Sequence, residues 1–311
     1  QTQKNAVRLS IAFPVPSTLP YYRTKPEQYI SNMLGHEGEG SLHSLLIQRG
    51  WIESLGAGTQ SFDRNTSLIS ANFELTQAGS NHVPEIMGLF FAHIDMLKSV
   101  EPEAWRYTEQ AKVAELAFQF QERGSTVGFV YQMAPRLNEY PPEDLLAAPY
   151  LMEGFKPDLI NDLLARMTPE NVLVELAMPD FQSPTVEPWF AVPFALTQGP
   201  VPVAMPDNPP LNLPAANPFL PENLSLLEPD DAPIDLAVDQ PGLQLWLDTD
   251  VSFTTPRANI AIELAVPNGL VSLRDASMAR LFTRLVNDEL TQSTYPALLA
   301  GLGYSLGRTA S

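Results

Sequence analysis

The sequence predicts an α+β protein: a mostly antiparallel sheet with helices packed on one face, followed by a proline-rich linker and an incomplete second α+β domain. Three observations carry this prediction. Val7–Val15 and Ser67–Leu75 alternate apolar and polar side chains, the period of a half-buried strand. Between Asn81 and Arg123 apolar residues recur every three or four positions, the period of a helix packed on one side. Ten prolines fall between Pro200 and Pro233, where no helical period survives.

The first strand, VRLSIAFPV, closes at Pro14 and Pro16, and Pro20-Tyr21-Tyr22 makes a turn. A helix over Pro26–Met33 tolerates Pro26 in its first turn. In Ser41–Arg49, Leu42, Leu45 and Leu46 share a helical face, with Ser41 as N-cap and Gly50 as the C-terminal glycine. Trp51–Ala57 and Ser67–Leu75 then read as an antiparallel pair joined by a polar loop. In the second of these, Ile69, Ala71, Phe73 and Leu75 form the apolar set.

Helices are predicted over Asn81–Val100, Glu103–Arg123, Thr126–Ala134, Pro142–Ala147 and Pro157–Met167, with a strand at Asn171–Leu176 and an edge strand at Trp189–Leu196. The proline-rich stretch is an extended linker packing along a surface. After it, Leu243–Leu247 and Ala258–Ala265 read as strands, Leu273–Leu290 as an amphipathic helix and Leu302–Ser305 as the start of a strand. These pieces are too few for an independent domain, and the first residue is not Met, so a section of a longer chain is expected.

Composition narrows the function. The 311 residues suit about two domains, and no apolar run reaches the roughly 18 residues of a membrane helix. The absence of cysteine excludes disulfides, thiolate zinc sites and a cysteine nucleophile. The net charge is −18, of which −17 lies between Glu139 and Asp250. Such a field repels nucleic acid and suits a solvated acidic linker region.

The stretch LGHEGEGSLHSLLIQRGWIESLGA, residues Leu34–Ala57, holds the densest group of candidate functional residues. Gly35, Gly38 and Gly40 enclose His36, Glu37 and Glu39, which leaves three readings open: a metal site, a tight helix-to-helix connection or a ligand loop. Glu37 and Glu39 lack an oriented partner for acid–base work. His36, Glu37 and His43 match no metal spacing, and His43 reads as a surface residue of its helix. His82 and His93 lie three turns apart, and His93 is expected to be half-buried and hydrogen-bonded. Trp51, Trp105, Phe118, Phe120, Phe129 and Tyr131 are expected in the core.

LGHEGEGSL followed by a short helix and GW resembles the second domain of the pitrilysin and insulin-degrading enzyme (insulinase) family of zinc metallopeptidases. NHVPEI at Asn81–Ile86, YPPEDLLAAPYLMEGFKPDLI at Tyr140–Ile160, TPENV at Thr168–Val172 and NPFLPENLSLL at Asn217–Leu227 agree in the same order. The resemblance implies a LuxS/MPP-like metallopeptidase fold. It assigns 1–196 to a non-catalytic second domain, 197–234 to the linker between halves, and 235–311 to the start of a third domain.

The family's zinc motif, His-x-x-Glu-His, belongs to its first domain and is absent here. His36-Glu37 is preceded by Met33 and Leu34, and His82-x-x-Glu85 is followed by Ile86, so neither completes it. No cofactor is therefore expected in this chain, with zinc placed in the parent's first domain. What the resemblance carries over is a secondary substrate site where the N-terminal end of a peptide pairs as an added strand. The matching positions are Gly35, Glu37, Leu55, Gly56 and Ala57. Two departures stand out: Asn32 replaces a histidine of some relatives, and Ala57 replaces a glycine.

The function expected is a peptide-binding, chamber-forming section of a zinc endopeptidase, inactive alone. The alternative is a structural or regulatory subunit supporting a separate active peptidase. Expected partners are a peptide substrate and the parent's remaining domains, with neither nucleic acid nor membrane. By analogy with bacterial relatives, the expected compartment is periplasmic, with cytoplasmic as the alternative.

Overall fold

The computed structural model describes residues 6–121, 124–226, 234–248, 255–264 and 272–307. Four strands form the main sheet: β1 (Val7–Pro16), β2 (Ile52–Ser61), β3 (Thr66–Leu75) and β4 (Leu173–Ala177). Their order is β2-β3-β1-β4, and every pairing is antiparallel. The register aligns the apolar sets, with Leu9 opposite Phe73, Ile11 opposite Ala71 and Phe13 opposite Ile69. Because strand side chains alternate, this puts one face of β1 and β3 into the core and leaves Arg8, Pro14 and Asn72 outside.

The buried face is covered by α1 (Pro26–Leu34), α3 (Val83–Ser99) and α6 (Pro157–Ala165). Between α1 and β2 lies α2 (Leu42–Gln48), capped as expected: the Ser41 hydroxyl accepts from Ser44 N at 3.1 Å, and Gly50 takes φ +68°. Phe90 of α3 is the hub, stacked on Phe13 and edge-on to Phe73 with ring centroids 6.1 and 6.0 Å apart. Each such buried ring stabilises the fold by about 2–3 kcal/mol through the water-exposed area it removes.

The proline-rich stretch packs as predicted, as an extended strap. Val201, Val203, Leu211 and Leu213 rest against the core. The strap is hydrogen-bonded along its length: Ala204 N donates to Pro84 O at 2.9 Å, Asn212 N to Gly40 O at 2.9 Å, and Arg106 donates to Pro214 O. Gly88 exists for this crossing, because a Cβ there would lie 1.8 Å from Ala204 O. Residues 227–233 of the predicted linker lie outside the described residues.

Several predicted elements are corrected. Trp189–Leu196 is not a strand; a single bridge joins Val186 to Pro193, and Ala191 turns at φ +55°, which breaks any ladder. Residues 258–264 and Leu302–Ser305 form no strand, and Ala265 lies outside the described residues. Alternating residues make a strand only where a neighbour supplies hydrogen bonds. Conversely, Asp235–Gln240 is a strand, β5, paired with β6 (Leu243–Leu247).

Pro142–Ala147 shrinks to one 3-10 turn at Pro142–Asp144. The helix α4 (Ala104–Gln119) stops short of the predicted Arg123, while α5 spans Thr126–Arg136. The last helix, α7 (Leu273–Leu299), runs nine residues beyond its predicted end and contains Pro296.

The aromatic core is also corrected. Tyr131 is 78% exposed, Phe129 50% and Trp105 37%, Phe118 and Phe120 are half-buried, and Trp51 packs half-buried against the core. Phe129 and Tyr131 lie on α5, and no residue of that helix is buried. His93 is fully buried, not half-buried, and its Nδ1 has no hydrogen-bond partner; burial pushes its pKa down to about 4. His43 is half-buried, with Nδ1 enclosed and its pKa lowered by burial, so it is not the free surface residue expected.

Candidate functional site

The glycine-rich loop joins α1 to α2, so the helix connection is present. Its glycines have separate causes. Gly40 takes φ +74° and receives the strap, a Cβ there lying 3.0 Å from the Asn212 side chain. A Cβ on Gly35 would meet Ser31 O at 3.2 Å and the Cβ and N of Ala57 at 3.3 Å. Gly35 thus lets the end of α1 lie directly on β2.

That contact joins two of the five predicted residues. Leu55, Ala57 and Thr59 turn toward α1, and the Ser31 and Thr59 hydroxyls meet at 3.3 Å. Leu55 is 4% exposed and belongs to the core, so only its backbone is available to a ligand. Gly56 lies on the opposite, open face, where an added Cβ would meet no atom within 4 Å. Among the described residues β2 is the terminal strand of the sheet and pairs only with β3. Glu37 stands half-buried in the loop, two residues after Gly35.

His36 is 9% exposed, and its Nδ1 accepts from Gly38 N at 3.0 Å. Burial, with the Arg106 charge adding to it, holds the ring's pKa down at about 4, so it is neutral at pH 7. With Nδ1 accepting, the ring hydrogen is assigned to Nε2. Tyr295 of α7 packs edge-on against this ring at 4.8 Å, and its Oη donates to Gly35 O at 3.5 Å. Burial and the Glu37 charge push the Tyr295 phenol up to about 12.

Tyr295 and Arg106 are parts of this site that sequence reasoning misses. Tyr295 is 260 residues from the loop, and no local pattern connects them. Arg106 is 8% exposed, donating to Glu103 Oε2 at 2.7 Å and to Pro214 O, with its guanidinium 4.2 Å from the Trp105 ring centre.

Three of the four histidines are engaged elsewhere. His36 Nδ1 is occupied by a backbone N–H, and His93 is sealed in the core. His82 stacks on Trp51 at 4.4 Å, with Nδ1 3.2 Å from Glu85 Oε1. Among the described residues no three His, Asp or Glu side chains converge on one point. No helix among them is long and apolar enough to cross a membrane.

Comparison with known proteins agrees with this architecture. Residues 1–112 match the family model described as the peptidase M16 inactive domain, and residues 118–311 match the middle or third domain of peptidase M16. The chain is 33% identical over 299 residues to insulin-degrading enzyme of Mus musculus, covering 93% of this chain and 29% of that protein. It is 30% identical to the peroxisomal insulin-degrading enzyme-like 1 of Arabidopsis thaliana, over 97% of this chain and 32% of the relative. Its fold is similar to the crystal structure of pitrilysin, with a TM-score of 0.76 and 19% identity over 96% of this chain and 33% of that one. The chain therefore spans about a third of the length of these relatives. With one family model covering 118–311 and a second covering 1–112, this chain belongs to the peptidase M16 family, the metallopeptidases of the pitrilysin and insulinase type.

Proposed function

We propose that this chain is a peptide-binding, chamber-forming part of a zinc-dependent endopeptidase, and that the N-terminal end of an extended peptide adds as a strand to the free edge of β2. The observation that carries this reading is the position of β2 as terminal strand, with the Gly35–Glu37 loop lying against it at Ala57. An edge strand offers its unpaired N–H and C=O groups to any extended backbone. Glu37 would accept from the peptide's α-ammonium, a charge-assisted hydrogen bond. The backbone of Leu55, Gly56 and Ala57 would supply the ladder.

In this reading residues 1–196 form the second domain, 197–234 the linker and 235–311 the start of the third. Zinc and the peptide-cleaving groups would belong to the parent's first domain, since the His-x-x-Glu-His motif is absent from this sequence. The parent would work in the periplasm.

Gly56 gives the clean test, because its open surroundings admit a side chain without disturbing the fold. In the full-length protein, Gly56→Trp should weaken peptide affinity about tenfold and leave the melting temperature unchanged. An added strand's side chains would have to pass beside that ring. Unchanged affinity in a folded variant would reject the edge assignment and favour a purely structural or regulatory role.

A further inference from the structure

A cavity of about 720 Å³ lies between α1, α4, strap residues 214–220 and α7. Small-molecule sites typically enclose roughly 300–1,000 Å³. No residue of β2 lines this one, so it is distinct from the proposed peptide edge.

One wall is aliphatic, built from Met33, Val113, Ala114, Ala117 and Met152. The other carries polar groups, and its cations are already committed. Lys25 Nζ donates to Ala148 O and Leu151 O at 2.6 and 2.7 Å, and Arg106 is held by Glu103 and Pro214. Of the carboxylates, Glu109 accepts from Asn217 N at 3.1 Å, while Glu39 and Glu289 are exposed at the rim, where water and salt screen them.

Two hydrogen-bonding groups are left over. His36, nine-tenths buried, has its Nδ1 occupied, and no acceptor among the described residues takes its Nε2–H. Gln110 gives its Nε2–H to Asn32 Oδ1 at 3.2 Å, but its Oε1 is buried without a donor. One is a donor and the other an acceptor. Gln110 lines the cavity, and for its enclosed oxygen to meet a ligand the side-chain amide must turn about its terminal torsion, which is broad in energy.

We propose that this cavity binds a small neutral aliphatic amide: its carbonyl takes the His36 Nε2–H, its N–H reaches Gln110 Oε1, and its alkyl group lies on the wall of Met33, Val113 and Ala114. An amide supplies the missing acceptor and donor together. A charged ligand would enter without an uncommitted buried counter-ion, which is costly.

The test uses calorimetric titration of the whole 311-residue chain with N-acetyl-leucinamide, leucinamide and N-acetyl-leucine. The capped amide should bind saturably, at least tenfold tighter than either charged analogue. Ala114→Trp should fill the cavity and weaken binding at least tenfold while the circular dichroism spectrum is retained. Should that variant fail to fold, Val113→Phe narrows the same wall with a smaller change of volume. Gly56→Trp, which tests the peptide edge, should leave this binding unaltered. The proposal is overturned by absence of saturable binding at millimolar probe, by equal or tighter binding of a charged analogue, or by unchanged binding in a folded, cavity-filled variant.

Discussion

The sheet with its covering helices and the C-terminal section both carry apolar residues at regular spacing, yet their side chains meet opposite fates. In the first, Phe13, Phe73, Phe90 and Ile86 are at most 1% exposed. In the second, Leu273 is 90% exposed, Phe282 63% and Trp246 57%. Both α3 and α7 carry apolar residues at helical spacing, but among the described residues only α3 has a sheet and two helices against it. Periodicity therefore specifies the helix, whereas burial needs a partner surface that the helix itself does not encode.

The largest effect expected from breaking this comparison is Phe90→Ala set beside Phe282→Ala. The first should cost about 3–5 kcal/mol by leaving a cavity among Phe13, Phe73 and Phe91. The second should change stability by less than about 0.5 kcal/mol. Urea unfolding of the two variants measures both, and equal losses would show that α7 is packed as tightly as α3.

A second prediction concerns Glu27, at the start of α1. Burial pushes its carboxyl up to about 7, and its Oε2 has no hydrogen-bond partner. A folded pKa above the unfolded value means that Glu27 stabilises the fold below about pH 4.5 and that this contribution is lost as pH rises through about 7. Glu27→Gln should thus be nearly neutral at pH 4 and stabilising at pH 8. The ceiling is about 3 kcal/mol, since one unit corresponds to roughly 1.4 kcal/mol and the residue keeps some contact with water. Melting curves of both proteins at the two pH values decide it; an effect independent of pH would place the carboxylate in water.

A smaller effect tests the strap, which joins the two regions. Gly88→Ala improves helix propensity but drives a methyl group into Ala204 O. The net loss should be about 1–3 kcal/mol, the usual cost of overpacking, with faster proteolysis near Val201–Met205. If the variant is as stable and as resistant as the parent, the strap yields freely and is a tether.

Much of the sheet region is legible in the sequence because its signals are local. Alternation in β1 and β3, the cap at Ser41 and the glycine at Gly50 each specify backbone geometry within a few residues. The strand predicted at 258–265 carries the same alternation, but residues 258–264 pair with no strand among the described residues, whereas β5 forms because β6 folds back on it. The depth of His93 is not legible, because a histidine at helical spacing does not say how fully its face is covered.

The candidate site divides in the same way. From the sequence come the Gly35–Gly40 loop between two helices, the strand after Trp51 and, through the order of its motifs, membership of the M16 family. From the folded chain come the position of β2 at the sheet's edge, the contact of Gly35 with Ala57, and the contrast between a core Leu55 and an open Gly56. Folding also brings Tyr295 onto His36 and closes a cavity from α1, α4, the strap and α7. The physical reason is range: dihedral preference and side-chain period act over a few residues, whereas an edge, a cavity or a contact across 260 positions depends on which surfaces the whole chain brings together.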